Sequence, residues 1–204
     1  MHIEIFHPDQ ARLFPWLNSF NRSFYLVGET AIALHLGHRR SIDFDLFTPS
    51  NLVKHRIKSK LLQIPFKQVP IFEDHDQLHL QINNVKVTFF NYPYPVSHQI
   101  NVGSVITMPG LLSLASMKAF ALGRRAKWKD YVDLYFLLRD HFTIRDISTE
   151  CEKSFREQYS EKLFRQQLAF HKDIDFSEPV EFIDEPIPEN TIKEFLIEKA
   201  IDIL

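Results

Sequence analysis

FYLVGETAIALHLGHRRSIDFDLFT, Phe24 to Thr48, is the stretch that decides the fold. Its apolar start reads as a buried strand, Phe24 to Val27. Gly28 ends that strand, and Thr30 to Leu36 follows as a short helix with Ile32 and Leu36 on one side. Gly37 stands where a helix C-terminal cap is expected. His38, Arg39 and Arg40 form a basic turn, and Ser41 to Phe47 then alternates as a second strand. Alternation directs Ile42, Phe44 and Leu46 to one face and Ser41, Asp43, Asp45 and Phe47 to the other. Residues two apart on a strand face are separated by roughly 6–7 Å, so Asp43 and Asp45 form a paired carboxylate site.

Outward from this unit, residues 7–20 are expected to form a helix, with Pro8 in its first turn and Leu13, Trp16, Leu17 and Phe20 at helical spacing. A helix from the Pro49-Ser50-Asn51 turn to about Leu62 carries Lys54, His55, Arg56, Lys58 and Lys60. Phe66 to Phe72, Leu78 to Ile82 and Val85 to Phe90 read as strands, and Asn83-Asn84 as a tight hairpin turn. Tyr92-Pro93-Tyr94-Pro95 stops the sheet, because proline cannot donate to a ladder. Val102 to Thr107 is a candidate further strand.

From Pro109 the pattern is helical: Leu111 to Gly123, Lys129 to Arg139, a helix capped by Thr143 or Ser148 and ending near Tyr159, and Ser160 to His171. Residues 173–189 hold seven acids, three prolines and no Lys or Arg, and read as a surface connector. Asn190 or Thr191 is expected to cap a last helix. The expected class is α/β (α+β): a mixed-sheet domain, 1–108, followed by a helical region, 109–204.

Composition narrows the function. A chain of 204 residues, 45% hydrophobic and 25% charged, builds a globular core. A net charge of −2 confines any nucleic-acid surface to a local patch. The expected patch combines Arg124, Arg125, Lys127 and Lys129 with Arg39, Arg40 and the Lys54–Lys60 helix. By sign, the acidic 173–189 segment is complementary to it. The single cysteine, Cys151, excludes a disulfide framework and a cysteine zinc site within this sequence, and the scattered histidines show no metal-ligand spacing. No apolar run approaches the ~20 residues that span a bilayer, and the first ten residues lack a signal-peptide pattern. A cytoplasmic location and no membrane partner are the expectations.

Paired carboxylates after a glycine turn and a helix N-terminus suit a magnesium–phosphate site. Mg²⁺ takes hard oxygen ligands, commonly one or two carboxylates plus substrate phosphates. Helix N-terminal N–H groups receive phosphate oxygens. Gly28-Glu29, thirteen residues, then Asp43-Phe44-Asp45 resembles the nucleotidyltransferase motif of the DNA polymerase beta-like superfamily. LVGETAIALHLGHRRSIDFDLF, with SMKAFALGRRAKWKDYVDLYFLL downstream, resembles its AbiEii-like abortive-infection toxin branch over about residues 24–140.

The resemblance implies an NMP transfer from an NTP to an acceptor, here an RNA such as tRNA, and a cognate antitoxin as partner. It implies Asp43 and Asp45 as catalytic metal ligands for Mg²⁺ and Lys118 as the catalytic contact to the triphosphate. Gly28, Glu29, Thr30, Arg40, Lys129 and Asp133 become the nucleotide-binding set. Two positions depart from the family pattern: Glu29 replaces the second Gly or Ser, and Thr88 occupies the slot of a third carboxylate. A catalytically degenerate nucleotide- or RNA-binding module of the same fold is the alternative reading.

Overall fold

A computed structural model describes residues 1–122 and 124–202 and divides into two compact units, Met1–Gly110 and Leu111–Leu204. The first is built on a five-stranded mixed sheet. Its strands are β1 (Tyr25–Val27), β2 (Phe44–Thr48), β3 (Gln68–Glu73), β4 (Gln77–Ile82) and β5 (Val85–Asn91), in the order β1-β2-β5-β4-β3. β2 and β5 run parallel and every other neighbouring pair is antiparallel. Phe44, Leu46, Val87, Phe89, Leu78 and Leu80 fill the buried face, where Phe89 packs on Phe20 and Phe24.

Local chemistry accounts for most element boundaries. The N-terminal helix α1 stops at Leu13 (Pro8–Leu13), and residues Phe14–Phe20 continue as a tighter 3-10 turn. Pro15 removes an amide donor there, so the single helix expected over 7–20 is split. Helix α2 (Gly28–Leu36) begins at the glycine itself, two residues earlier than expected. Gly37 closes it in the left-handed region at φ +68°, and a Cβ there would lie 2.6 Å from the His2 ring. Asn83 and Asn84 both take positive φ, the requirement of a two-residue turn between antiparallel strands.

Helix α3 spans Lys54–Leu61. Instead of one strand over 102–107, β6 (Ile100–Val102) and β7 (Ile106–Met108) form a separate hairpin turned at Gly103, φ +58°.

The second unit is helical: α4 (Leu111–Leu122), α5 (Trp128–Asp140), α6 (Ile144–Phe155), α7 (Glu161–Ala169) and α8 (Glu189–Ile201). The expected end of α4 at Gly123 lies outside the described residues. Thr143, not Ser148, caps α6, in a reciprocal capping box with Asp146. Phe120 and Phe155 stack at 3.9 Å to join α4 to α6. Helix α8 starts at Glu189 after Pro188, so neither Asn190 nor Thr191 is its cap.

Substituting Gly37→Ala places a Cβ in the left-handed region and against His2, and is expected to cost about 1–2 kcal/mol. Thermal unfolding measures it, and adding His2→Ala should recover only the steric part.

Candidate active site

The two carboxylates reach the site by different routes. Asp45 is inside β2, paired with Val27 of β1 and Thr88 of β5. Asp43 precedes the strand, because regular pairing begins only at Phe44. The expected alternation therefore fails before Phe44: Ile42 is 48% exposed instead of buried, and Ser41 is buried instead of sharing the open face. A hydrogen-bond chain holds this lead-in. The buried Thr30 hydroxyl on α2 meets the Asp43 carbonyl and the Ser41 hydroxyl, the latter at 2.9 Å. Thr30, expected among the nucleotide ligands, thus sits in the interior and sets where Asp43 emerges.

Gly28 adopts φ +74° directly against Asp45. A Cβ at position 28 would lie 2.3 Å from Asp45 Oδ2 and 3.1 Å from its Cγ. Glycine is required twice over, by backbone conformation and by contact. The glycine turn and the second carboxylate are one packed unit.

The electrostatics of that unit are unfavourable for a bare protein. Burial pushes the Asp45 carboxyl up to about 6, and the neighbouring Asp43 and Glu29 charges push in the same direction. A hydrogen bond with Thr88 and the Lys86 charge act the other way, more weakly. Like charges crowded on hard oxygen donors are relieved by a divalent cation, so the donor set fits Mg²⁺. Among the described residues no group of three or more His, Cys, Asp or Glu side chains gathers at metal-binding distances. The site therefore offers two aspartates, Asp43 and Asp45, with the Glu29 charge near enough to act on Asp45.

Glu29 lies close enough to influence Asp45, yet its Oε2 accepts from Arg39 Nη2 at 3.0 Å. Arg39 is fully buried and also donates to the Arg40 carbonyl. Arg40 donates to the Glu4 and Ile5 carbonyls at 3.4 and 3.3 Å, holding the N-terminal segment. Arg39 is thus an internal counter-charge and not part of a surface patch.

Sequence periodicity also undervalued His79. It lies opposite Thr88 on β4, in the same cross-strand row as Asp45, and burial and the Lys86 charge lower its pKa. The alternation of Gln77, His79 and Gln81 against buried Leu78, Leu80 and Ile82 was the available signal.

In the helical unit, Lys118 is buried on α4. Its ammonium lies 2.7 Å from Asp130 Oδ1 and 2.9 Å from Asp133 Oδ2, both on α5 and both fully buried. Arg125 adds two bonds to Asp130 at 3.0 and 3.2 Å. Asp133, expected among the nucleotide ligands, therefore faces Lys118 in the interior. Lys129 pairs with Glu178 at 3.2 Å, and Lys127 donates to the same carboxylate, whose pKa falls to about 2 chiefly through that hydrogen bond. The acidic segment does cross the basic stretch: Trp128 N–H donates to the Asp175 carbonyl at 3.0 Å, and Asp175 N–H donates to that of Ala126 at 2.7 Å. Arg124 covers the Phe120 ring, and Lys54 and Lys58 pair with Glu73. Much of the expected basic patch is compensated internally. Burial raises the Cys151 thiol pKa, which disfavours the nucleophilic thiolate.

Residues 13–202 match the family described as nucleotidyl transferase AbiEii toxin, type IV toxin–antitoxin system. The chain belongs to the AbiEii nucleotidyltransferase toxin family. An uncharacterised protein of Aquifex aeolicus is 32% identical over 142 residues, which is 65% of this chain and 66% of that protein's length. The structure is similar to MenT4, a nucleotidyltransferase toxin of Mycobacterium tuberculosis, with a TM-score of 0.64 and 14% identity over 94% of this chain and 80% of that one. It is also similar to JHP933 of Helicobacter pylori, with a TM-score of 0.56 and 16% identity over 95% and 88% of the two chains. These likenesses establish the shared nucleotidyltransferase-type fold. In this AbiEii chain, no helix among the described residues is long and apolar enough to cross a membrane.

Two outcomes follow for the carboxylates. A carboxyl whose native pKa is about 6 and whose unfolded pKa is near 4 binds more protons in the native state, so its contribution to stability falls as pH rises from about 4 to 6. Asp45→Asn is expected to remove that slope and to stabilise the metal-free protein at pH 7 by about 1–2 kcal/mol. Denaturant unfolding at pH 4.5 and 7, as illustrative settings on either side of about 6, checks this. For the helical unit, Lys118→Met leaves two buried carboxylates without their shared cation and is expected to cost about 3–5 kcal/mol. Chemical denaturation of the variant measures it.

Proposed function

We propose that this protein transfers a nucleoside monophosphate from an NTP to an RNA acceptor, with tRNA as the first candidate, in a Mg²⁺-dependent reaction. The observation that carries the proposal is the packing of Asp45 against the Gly28 turn, with Asp43 beside it. Bound there, Mg²⁺ would neutralise phosphate charge as the acceptor hydroxyl attacks the α-phosphorus and pyrophosphate leaves. Asp43 and Asp45 hold the ion, while Gly28 leaves the space that a side chain would fill. The family resemblance gives Lys118 a triphosphate role; within the helical unit its ammonium is held by Asp130 and Asp133. A cognate antitoxin is the protein partner proposed, and the cytoplasm the location.

The alternative is a nucleotide- or RNA-binding module without turnover. Thr88 favours it: the residue opposite Asp45 is a hydroxyl that hydrogen-bonds to Asp45, where a third carboxylate would serve as base for the acceptor hydroxyl. His79, the next residue in that row, is the nearest titratable alternative on β4.

Incubation with each α-labelled NTP, Mg²⁺ and total RNA separates the two. The transferase reading expects label on RNA with at least one NTP, reduced at least about 10³-fold by Asp43→Ala with Asp45→Ala. Metal-dependent thermal stabilisation by NTP without label transfer supports the module, and neither effect refutes both.

A further inference from the structure

A cavity of about 600 Å³ opens at the other end of the β1–β2 pair from the Gly28 turn. Gly28, Asp43 and Asp45 are not among its lining residues. Tyr25, paired with Phe47, and Thr48 mark its position on the sheet, three residues or roughly 10 Å along β2 from Asp45. All of the lining belongs to the first unit.

Its chemistry is one-sided. Arg22, Arg56 and Lys60 line it, and no carboxylate does. Among the described residues Arg22 and Arg56 form no ion pair, unlike Lys54 and Lys58 on the same α3 helix, which Glu73 neutralises. The second observation is Tyr25. This side chain is 2% exposed, lines the cavity, and has a buried hydroxyl without a hydrogen-bond partner. An unsatisfied buried hydroxyl is unfavourable, a penalty that a ligand oxygen would remove. His98 stacks on the Tyr25 ring at 4.3 Å, with its Nδ1 at 3.0 Å from Thr107 Oγ1, which fixes both rings in the wall. Phe24 and Ile57 supply an apolar side. Two unpaired guanidinium groups, an ammonium and a neutral phenol donor suit a phosphate, which presents several acceptor oxygens to bidentate arginine. The volume lies within the roughly 300–1,000 Å³ of small-ligand sites.

We infer that this cavity is a second ligand site, separate from the Asp43–Asp45 centre, and that it takes a small phosphorylated ligand of mononucleotide size. Arg22 and Arg56 bind its phosphate, Tyr25 donates to one of its oxygens, and the aromatic wall covers the remainder. The site requires no metal, so it can be probed with the carboxylate centre silent.

The experiment is calorimetric or NMR titration of the full chain in EDTA with AMP, ADP, inorganic phosphate and adenosine, and with a single-stranded RNA lacking terminal phosphates. AMP or ADP should bind at sub-millimolar concentration, and adenosine at least about tenfold more weakly, because the phosphate contacts are charge-assisted. Arg22→Ala with Arg56→Ala should weaken nucleotide binding by at least about tenfold. Tyr25→Phe should weaken it by about three- to tenfold, the equivalent of one hydrogen bond. Asp43→Ala with Asp45→Ala should leave it unchanged, which distinguishes this site from any failure of the transferase reading. No nucleotide binding, binding indifferent to the arginine pair, loss on removing the two aspartates, or binding of the RNA alone would each overturn the inference.

Discussion

The approach of Asp45 to the backbone of Gly28 is the contact on which the candidate site depends. β1 and β2 are antiparallel neighbours, and Val27 pairs with Asp45, so the chain must turn away immediately beyond that pair. It does so at a φ of +74°, with no room for a Cβ beside the carboxylate. The same turn starts α2, whose third residue, Thr30, reaches across to the segment that presents Asp43. One steric constraint therefore places both carboxylates, the glycine turn and the helix N-terminus together.

Charge compensation is distributed unevenly over the molecule. Arg39 is paired with Glu29, and Lys118 and Arg125 with Asp130 and Asp133; Glu178 balances Lys127 and Lys129. At Asp45 the balance is reversed, since two further acids raise its proton affinity and Thr88 and Lys86 oppose them more weakly. Concentrated negative charge of that kind is a cost in the empty protein and a gain when a cation binds. A cavity lined by cations and no acids lies at the other end of the β1–β2 pair.

Strand and helix content was legible because hydrophobic period changes so clearly at Pro109, and Asn83-Asn84 and Gly37 announced their backbone conformations. Pro15 also stood in plain view, and its effect on the first helix follows from the missing amide. The alternation from Ser41 misled because Ser41 and Asp43, before Phe44, are held by hydrogen bonds to Thr30 of α2 and not by a strand partner. Periodicity has no access to that distinction. The basic residues misled for a similar reason: a lysine or arginine has one appearance in sequence, whether it faces solvent or a buried carboxylate.

The sequence by itself determined the paired aspartates, the glycine before the helix, the mixed sheet followed by helices, and the family these imply. Such features are local, written in spacing and backbone requirement. Only the tertiary structure decided that Arg39 neutralises Glu29, that Asp133 answers Lys118, that Thr88 and His79 stand in the row of Asp45, and that Tyr25 keeps a buried hydroxyl beside unpaired arginines. Each joins residues distant in sequence or on different elements, and burial, which sets the strength of an ionic or hydrogen-bonding contact, exists only once the chain has folded.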